Sequence, residues 1–154
     1  MINVGQPAPN FTLVDQNRQK VTLSQFRMSK NVVLSFHIYS FTSGWTDQVS
    51  SFRAANPKFE EQDTQVLGIS TDASATQNAF STTMGNITYP LLSDFYPHGE
   101  VAQRYGVFND EQGTPFRAVI LIDKQGVIRF TQIYQRATDI NIENILREVK
   151  KLQA

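Results

Sequence analysis

The stretch whose residues are best suited to catalysis or binding runs from Leu34 to Arg53, where an apolar strand, a tight Ser-Phe-Thr-Ser-Gly turn and a helix follow one another. We expect the helix to begin near Gly44 or Trp45. The first N–H groups of such a helix have no intrahelical partner and lie at the positive end of the helix dipole. Thiolates, phosphates and oxyanions are stabilised there. The sequence therefore predicts an active or binding site at this turn.

Around this turn the sequence resembles the peroxiredoxins, the alkyl hydroperoxide reductase/thiol-specific antioxidant family. The family's active-site pattern is Pro, three residues, Thr or Ser, two residues, Cys. Thr42 and Gly44 match it, but Ile38 stands at the proline position and Trp45 at the position of the peroxide-reacting cysteine. Because the chain contains no cysteine at all, the resemblance implies the family's fold and pocket without its thiol chemistry.

Two later blocks extend the resemblance over almost the whole chain. The segment from Leu92 to Phe108, LSDFYPHGEVAQRYGVF, is similar to a peroxiredoxin segment. Its residues most resemble those of the one-cysteine, E-type alkyl hydroperoxide reductases. The segment from Phe116 to Gly126 resembles the family's arginine strand, with Arg117 at the arginine position. Three blocks in the family's order imply its fold more strongly than one block alone.

The resemblance also implies roles for particular residues. In peroxiredoxins a thiolate at the helix N-terminus attacks the peroxide O–O bond and becomes a sulfenic acid. A threonine hydroxyl, two backbone N–H groups and the arginine hold the peroxide. Carried over by position, the binding groups that remain are Thr42, the N–H groups of Gly44 and Trp45, and Arg117. Many members have Glu three residues after the cysteine, where this chain has Gln48, so one countercharge has gone.

Each of these residues also has a structural interpretation. Trp45 either fills the cavity of a dead active site or grips a ligand. Arg117 is either a relic anion ligand or a structural arginine paired with a local carboxylate. Thr42 is expected to cap the helix. We expect the Trp45 indole to contact the Arg117 guanidinium as a cation–π pair; the alternative is an anion held by Arg117, Thr42 and the helix N–H groups.

The two histidines do not have the spacing of a metal site, and no cofactor motif is present. We therefore expect no metal and no cofactor. His37 is interpreted as a hydrogen-bonded core or rim histidine and His98 as an exposed one. A hydroxyl nucleophile, Thr46 or Ser43 with His37 as base, is the alternative catalytic arrangement, and nothing in the spacing supports it.

Composition restricts the class of protein. The chain has 154 residues, 40% of them hydrophobic and 18% charged, which predicts one globular domain spanning residues 1–154. A formal net charge of +0 gives no electrostatic reason to expect nucleic acid or an acidic membrane as partner. The sequence shows no apolar run of membrane-spanning length and no secretory signal, so we expect a cytoplasmic protein.

The elements before the arginine strand alternate between strands and helices. The expected caps of the second helix are Ser74 or Asp72, with Gly85 at its end. Pro57 is expected to start a new turn or kink the first helix. The predicted strands are Asn10–Val14, Lys20–Leu23, Val32–Ile38, Gln65–Ser70 and Tyr89–Leu92, and the predicted helices are Trp45 to about Gln62, Ser74–Met84 and Gly99–Tyr105.

The last third predicts a hairpin and a covering helix. Arg117–Ile122 and Val127–Tyr134 flank an Asp-Lys-Gln-Gly turn, and Thr138 or Asp139 is expected to cap the final helix. Its inward positions keep helical spacing: Ile142, Ile145, Leu146, Val149 and Leu152. The order of elements indicates an α/β protein with a mixed central sheet and helices on both faces, which is the arrangement of the thioredoxin fold of peroxiredoxins.

Two classes of function follow. The first is a peroxiredoxin-like pseudoenzyme with a binding or regulatory role, whose ligand would be a small anion or carboxylate. The second is an enzyme with a different, cysteine-free reaction in the same pocket; the family's own activity is that of a thiol peroxidase, an oxidoreductase. Because peroxiredoxins commonly dimerise, we also expect a homodimer with Tyr39–Phe41 and Phe95–Pro97 at or near the contact.

Overall fold

A seven-stranded mixed sheet forms the centre of the protein. The computed structural model describes residues 1–39 and 43–153, and of residues 43–46 only the backbone. The strands are β1 (Thr12–Val14), β2 (Lys20–Thr22), β3 (Asn31–Phe36), β4 (Thr64–Ser70), β5 (Leu91–Ser93), β6 (Phe108–Asn109), β7 (Thr114–Pro115), β8 (Ala118–Ile122) and β9 (Ile128–Ile133). The sheet order is β2-β1-β5-β4-β3-β8-β9, while β6 and β7 pair separately as a small hairpin. Strand β3 is parallel to β4 and antiparallel to β8.

Alternate residues of the central strands pack into two hydrophobic clusters, one on each face of the sheet. Leu34 and Ile120 belong to one cluster, whereas Val33, Val119 and Leu121 belong to the other. The helices are α1 (Ser43–Glu61), α2 (Ser74–Thr83), α3 (Glu100–Arg104) and α4 (Ile142–Lys151). Helices α1, α2 and α4 cover one face and α3 covers the other. The predicted mixed sheet with helices on both faces is therefore confirmed. No helix in the described ranges is long and apolar enough to cross a membrane.

Two predicted boundaries near the candidate site differ from the structure. Strand β3 ends at Phe36, which lies opposite Ala118 of β8, and not at Ile38. Helix α1 (Ser43–Glu61) begins two residues earlier and ends one residue earlier than the predicted span, and it continues through Pro57; the expected kink stays a prediction. One end of β3 therefore leads, after a short connection, directly into a long helix.

The predicted N-cap of α2 is wrong. The N-cap is Ala73, which makes no side-chain capping bond. The Ser74 hydroxyl instead donates to the distant Asp15 carbonyl at 2.7 Å, and the Asp72 carboxylate accepts from the nearby Ser70 hydroxyl at 2.9 Å. The polar side chains expected at the N-cap are therefore bonded to other partners.

The predicted end of α2 is confirmed. The C-cap is Met84, and Gly85 follows it with a φ of 77°, as is common just beyond a helix C-terminus.

The predicted cap of α4 is wrong as well. The N-cap is Asn141, whose side-chain oxygen accepts from the Asn144 N–H at 3.2 Å. Asp139, an expected cap together with Thr138, ends a short 3₁₀ turn and pairs with Arg136 at 3.2 Å. The buried residues of α4 follow the predicted spacing: Ile145, Leu146 and Val149.

The β8–β9 turn is organised by one carboxylate. Asp123 accepts from the N–H groups of Gln125 at 2.9 Å and Val127 at 3.0 Å, and from Arg129 Nε at 2.6 Å. Gly126 completes the turn with a φ of 82°, which an L side chain rarely adopts. Burial alone would raise the pKa of Asp123, but these three donors outweigh burial and lower that pKa below its ordinary value.

We expect Asp123→Asn to reduce the free energy of unfolding by about 1–2 kcal/mol at pH 7, because the amide keeps the shape but loses the charge-assisted bond to Arg129. A depressed folded pKa gives stabilisation that is present above the unfolded value of about 3.9 and is lost as the pH falls through the folded value. Urea unfolding should therefore show a smaller difference from wild type at pH 3 than at pH 7. The exposed Asp110→Asn is the control, and an equal loss in both variants would contradict this role.

Candidate functional site

Strand pairing places Arg117 beside the end of β3. Phe36 lies opposite Ala118 in the β3–β8 ladder, and Arg117 directly precedes Ala118. The arginine therefore lies where β3 ends and the connection to α1 begins. At the end of β3, the guanidinium of Arg117 and the N-terminal N–H groups of α1 can therefore act on one ligand.

The Arg117 side chain is buried, with 9% of the residue exposed. Its Nη1 donates to the carbonyl of Gln135 at 2.7 Å, while its buried Nε has no hydrogen-bond partner among the described residues. Burial lowers the pKa of Arg117, and the nearby Asp139 opposes that shift. In the described part of the chain no carboxylate forms an ion pair with Arg117, since Asp139 pairs with Arg136. Among the described residues, the charged guanidinium therefore has no carboxylate partner and its Nε–H has no acceptor.

Gln48 fixes the start of α1 against β3. It is 1% exposed, and its Nε2 donates to Ser35 Oγ at 2.8 Å and to the Phe36 carbonyl at 3.0 Å. Its buried Oε1 has no partner within the described ranges. Gln48 therefore keeps a positioning role while bringing no charge to the site.

A cavity of about 510 Å³ opens beside Arg117. Three of its walls are large and partly exposed side chains: Tyr39 at 43%, Phe116 at 39% and Ile133 at 39%. Of the described lining residues, Arg117 alone carries a charge. The remaining lining residues are Ile38, Asn109, Gln112, Thr114, Pro115, Tyr134 and Gln135. The cavity therefore combines large apolar walls with neutral polar side chains and a single cation among its described lining residues.

Comparison with known proteins identifies the family. Its AhpC/TSA profile matches residues 4–131. Alkyl hydroperoxide reductase E of Mycobacterium tuberculosis is 44% identical over 135 residues, which are 88% of this chain and 88% of that protein. The chain belongs to the AhpC/TSA family. The similarity to E-type alkyl hydroperoxide reductases inferred from the sequence is thereby confirmed.

Solved structures of AhpC/TSA proteins confirm the fold. Peroxidoxin BcpB of Mycobacterium tuberculosis superposes with a TM-score of 0.90 and 27% identity over 100% of both chains. The reduced 2-Cys peroxiredoxin of Plasmodium vivax superposes with a TM-score of 0.90 and 29% identity, covering 99% of this chain and 83% of that chain. The protein thus has the thioredoxin-like peroxiredoxin fold, in a chain without cysteine.

The other AhpC/TSA binding positions fall partly outside the described residues. Thr42 lies outside them, and of Gly44 and Trp45 only the helical backbone of α1 is described. That backbone puts both residues in the first turn of α1, close to the predicted helix start at Gly44 or Trp45; the binding role of these residues stays a prediction. The Trp45–Arg117 contact and the alternative bound anion stay predictions.

The histidines match their predicted structural interpretations. His37 is 1% exposed, its Nδ1 lies 3.4 Å from the Ser35 carbonyl, and burial holds its pKa well below the ordinary value. His98 is exposed. The side chains of Ser43 and Thr46, the alternative nucleophiles, lie outside the described residues. Within the described ranges no three His, Cys, Asp or Glu side chains cluster as a metal site would require.

The second AhpC/TSA block has a structural explanation. Asp94 is fully buried and accepts from the N–H groups of Val101 at 3.2 Å and Ala102 at 2.9 Å. Burial raises the pKa of Asp94, and those two N–H groups oppose the shift. Asp94 therefore holds α3 in place, and it leaves the following Phe95 and Tyr96 exposed at 55% and 74%.

Sequence reasoning found Arg117 but missed the wall of its cavity. Much of the wall comes from the β6–β7 hairpin and the end of β9, neither of which was assigned to the site, whereas Ile38 and Tyr39 belong to the predicted stretch from Leu34 to Arg53. The Phe116 N–H donates to the Val107 carbonyl at 2.6 Å and holds this wall against the core. The available signal was the Gly-Thr-Pro-Phe run before Arg117, because a proline within a strand indicates an edge position.

We expect Gln48→Glu to destabilise the fold by about 2–4 kcal/mol at pH 7, because a carboxylate would face the Phe36 carbonyl oxygen in a buried position. Such a carboxylate has a folded pKa above its unfolded value of about 4.3, so the loss is small below that pH and grows as the pH rises. Urea unfolding from pH 4 to pH 8 measures the trend.

The exposed Gln132→Glu on β9 is the matched control, because it makes the same chemical change without burial. A loss in Gln48→Glu that shrinks as the pH rises would contradict the expectation. It would show that the new carboxylate reaches a cation, for which Arg117 is the candidate.

Proposed function

We propose that this AhpC/TSA protein binds a small anion or carboxylate at Arg117 and is not a thiol peroxidase. One observation carries the proposal: a chain with no cysteine retains a buried arginine, without a carboxylate partner among the described residues, in the wall of a cavity. Arg117 supports the binding half of the proposal, and the reacting atom is absent from the sequence.

Peroxide reduction by a thiol needs the sulfur itself. The thiolate donates the electron pair that breaks the O–O bond, forming the S–O bond as the alkoxide or hydroxide leaves. Hydrogen-bond donors such as Arg117 stabilise the developing charge but supply no electrons. The groups that remain can hold an anion without converting it.

The energetics of Arg117 favour a ligand. Arg117 lines the cavity, and no carboxylate among the described residues pairs with it. Charge-assisted bonds to guanidinium are stronger than neutral ones. A ligand that brings an anionic acceptor into the cavity would thus supply the countercharge that the described residues do not.

The alternative, a cysteine-free reaction in the same pocket, has less support. His37, the base it would use, is almost completely buried and its pKa is lowered by that burial. Tyr134 lines the cavity, and burial raises its pKa to about 12, so it is protonated at neutral pH. Neither residue is set up as a general base, which needs a pKa near the working pH and access to its substrate.

We expect the wild-type protein to show no peroxidase turnover with a hydroperoxide and a thiol reductant. Its rate should equal that of a heat-denatured sample. Trp45→Cys is the matched variant, because it returns the attacking atom to its position, and it should reduce about one equivalent of peroxide per chain in the absence of reductant. Sustained consumption proportional to wild-type concentration would refute the proposal.

We also propose a two-fold homodimer whose contact uses exposed aromatic side chains. Tyr39 is 43% exposed, Phe95 55% and Tyr96 74%. Exposed aromatic side chains supply large apolar areas and are enriched at protein interfaces. The predicted segments Tyr39–Phe41 and Phe95–Pro97 meet that requirement as far as they are described, since Phe41 lies outside the described residues.

Light scattering coupled to size-exclusion chromatography should find the mass of a dimer. The double change Phe95→Ser and Tyr96→Ser should raise the dissociation constant at least about tenfold, because each removes a large buried apolar contact. Met28→Ser, at a position that is 76% exposed, is the control and should leave the dimer intact. A wild-type monomer at high protein concentration would rule out the assembly.

A further inference from the structure

The residues that line the cavity beside Arg117 restrict which class of anion can bind there. We infer that its ligand is a small monocarboxylate with an apolar ring or short chain, and not phosphate or another multiply charged anion. This inference rests on the proposed binding function of Arg117 and makes it specific.

The single charge follows from the lining. Arg117 is the one charged side chain among the described lining residues, and its Nη1 is already engaged by the Gln135 carbonyl. Asp139 lies close enough to act on the pKa of Arg117 and would repel additional negative charge. A multiply charged oxyanion is held by several cations or N–H groups, whereas one guanidinium matches one carboxylate.

The apolar body follows from the walls. Tyr39, Phe116 and Ile133 are partly exposed around the same cavity, although large apolar side chains are normally covered. Ile38 and Pro115 extend this surface. The cavity of about 510 Å³ falls in the range of small-molecule sites, which are mostly apolar with a few placed polar groups. Acetate would reach Arg117 but would leave these walls uncovered.

Calorimetry with simple probes tests the class. We expect octanoate and benzoate to bind, and inorganic phosphate and 1-octanol to bind at least about tenfold more weakly, since phosphate finds one cation and the alcohol brings no charge. From butyrate to octanoate the affinity should rise roughly three- to fourfold for each methylene group that becomes buried.

Two variants separate the charge from the walls. Arg117→Met should lower octanoate affinity about tenfold or more while leaving 1-octanol binding unchanged. Arg117→Lys keeps the charge without the planar fork and should bind octanoate with intermediate affinity, and thermal melts establish that both variants fold. Ile133→Thr should weaken the chain-length dependence. Val4→Thr makes a comparable change at an exposed site outside the cavity and is the control.

The outcomes distinguish the two levels of proposal. Phosphate binding as tightly as octanoate, or 1-octanol binding as tightly as octanoate, would overturn the monocarboxylate class. Binding of phosphate that Arg117→Met abolishes would leave anion binding at Arg117 intact. Failure of every anion to bind, or octanoate binding unchanged in Arg117→Met, would overturn both. Peroxidase turnover by the wild type would overturn the lack of thiol chemistry without bearing on the ligand class.

Discussion

The pairing of β3 with β8 is the constraint on which the candidate site depends. All six residues of β3 are buried, and the strand is bonded on one side to β4 and on the other to β8. A shift of register by one residue would move every side chain of a strand to the opposite face of the sheet. Two buried faces therefore fix the register, and the register in turn fixes Arg117 beside the end of β3. The position of the cation follows from core packing and needs no local interaction to maintain it.

Gln48 gives the same region a second anchor. Its amide reaches from α1 to Ser35 Oγ and to the Phe36 carbonyl, so the start of the helix is tied to the end of β3, beside which Arg117 lies. A glutamate at this position could supply a countercharge, but a carboxylate would meet the Phe36 carbonyl unless protonated. The neutral amide of Gln48 therefore positions the helix but does not neutralise the charge of Arg117.

Much of this arrangement was readable from the sequence, and the errors share one physical cause. The strands of the central sheet, the helices, the β8–β9 hairpin and Arg117 were predicted because hydrophobic periodicity and motif order are local signals. The caps at Ser74 and Asp139 failed because those side chains bond to distant or competing partners. Gln16 likewise has a role that local sequence does not show, since its buried amide donates to the Tyr89 carbonyl and accepts from the Leu91 N–H. The cavity wall was missed for the same reason, since three separate segments build it and none contains the whole signal.

Two departures from the family pattern, at Trp45 and Gln48, both remove a negative charge from the surroundings of Arg117. In the family pattern that this chain resembles, a thiolate and a nearby glutamate oppose the arginine. Here Trp45 and Gln48 occupy those positions and carry no charge, while Arg117 remains. Removing only the thiolate would leave a glutamate able to neutralise the arginine. Removing both negative groups leaves a buried cation whose protein partner, among the described residues, is a backbone carbonyl. Because an uncompensated buried charge is costly, we expect such a site to gain more from an incoming anion than a site whose arginine is already balanced by a carboxylate.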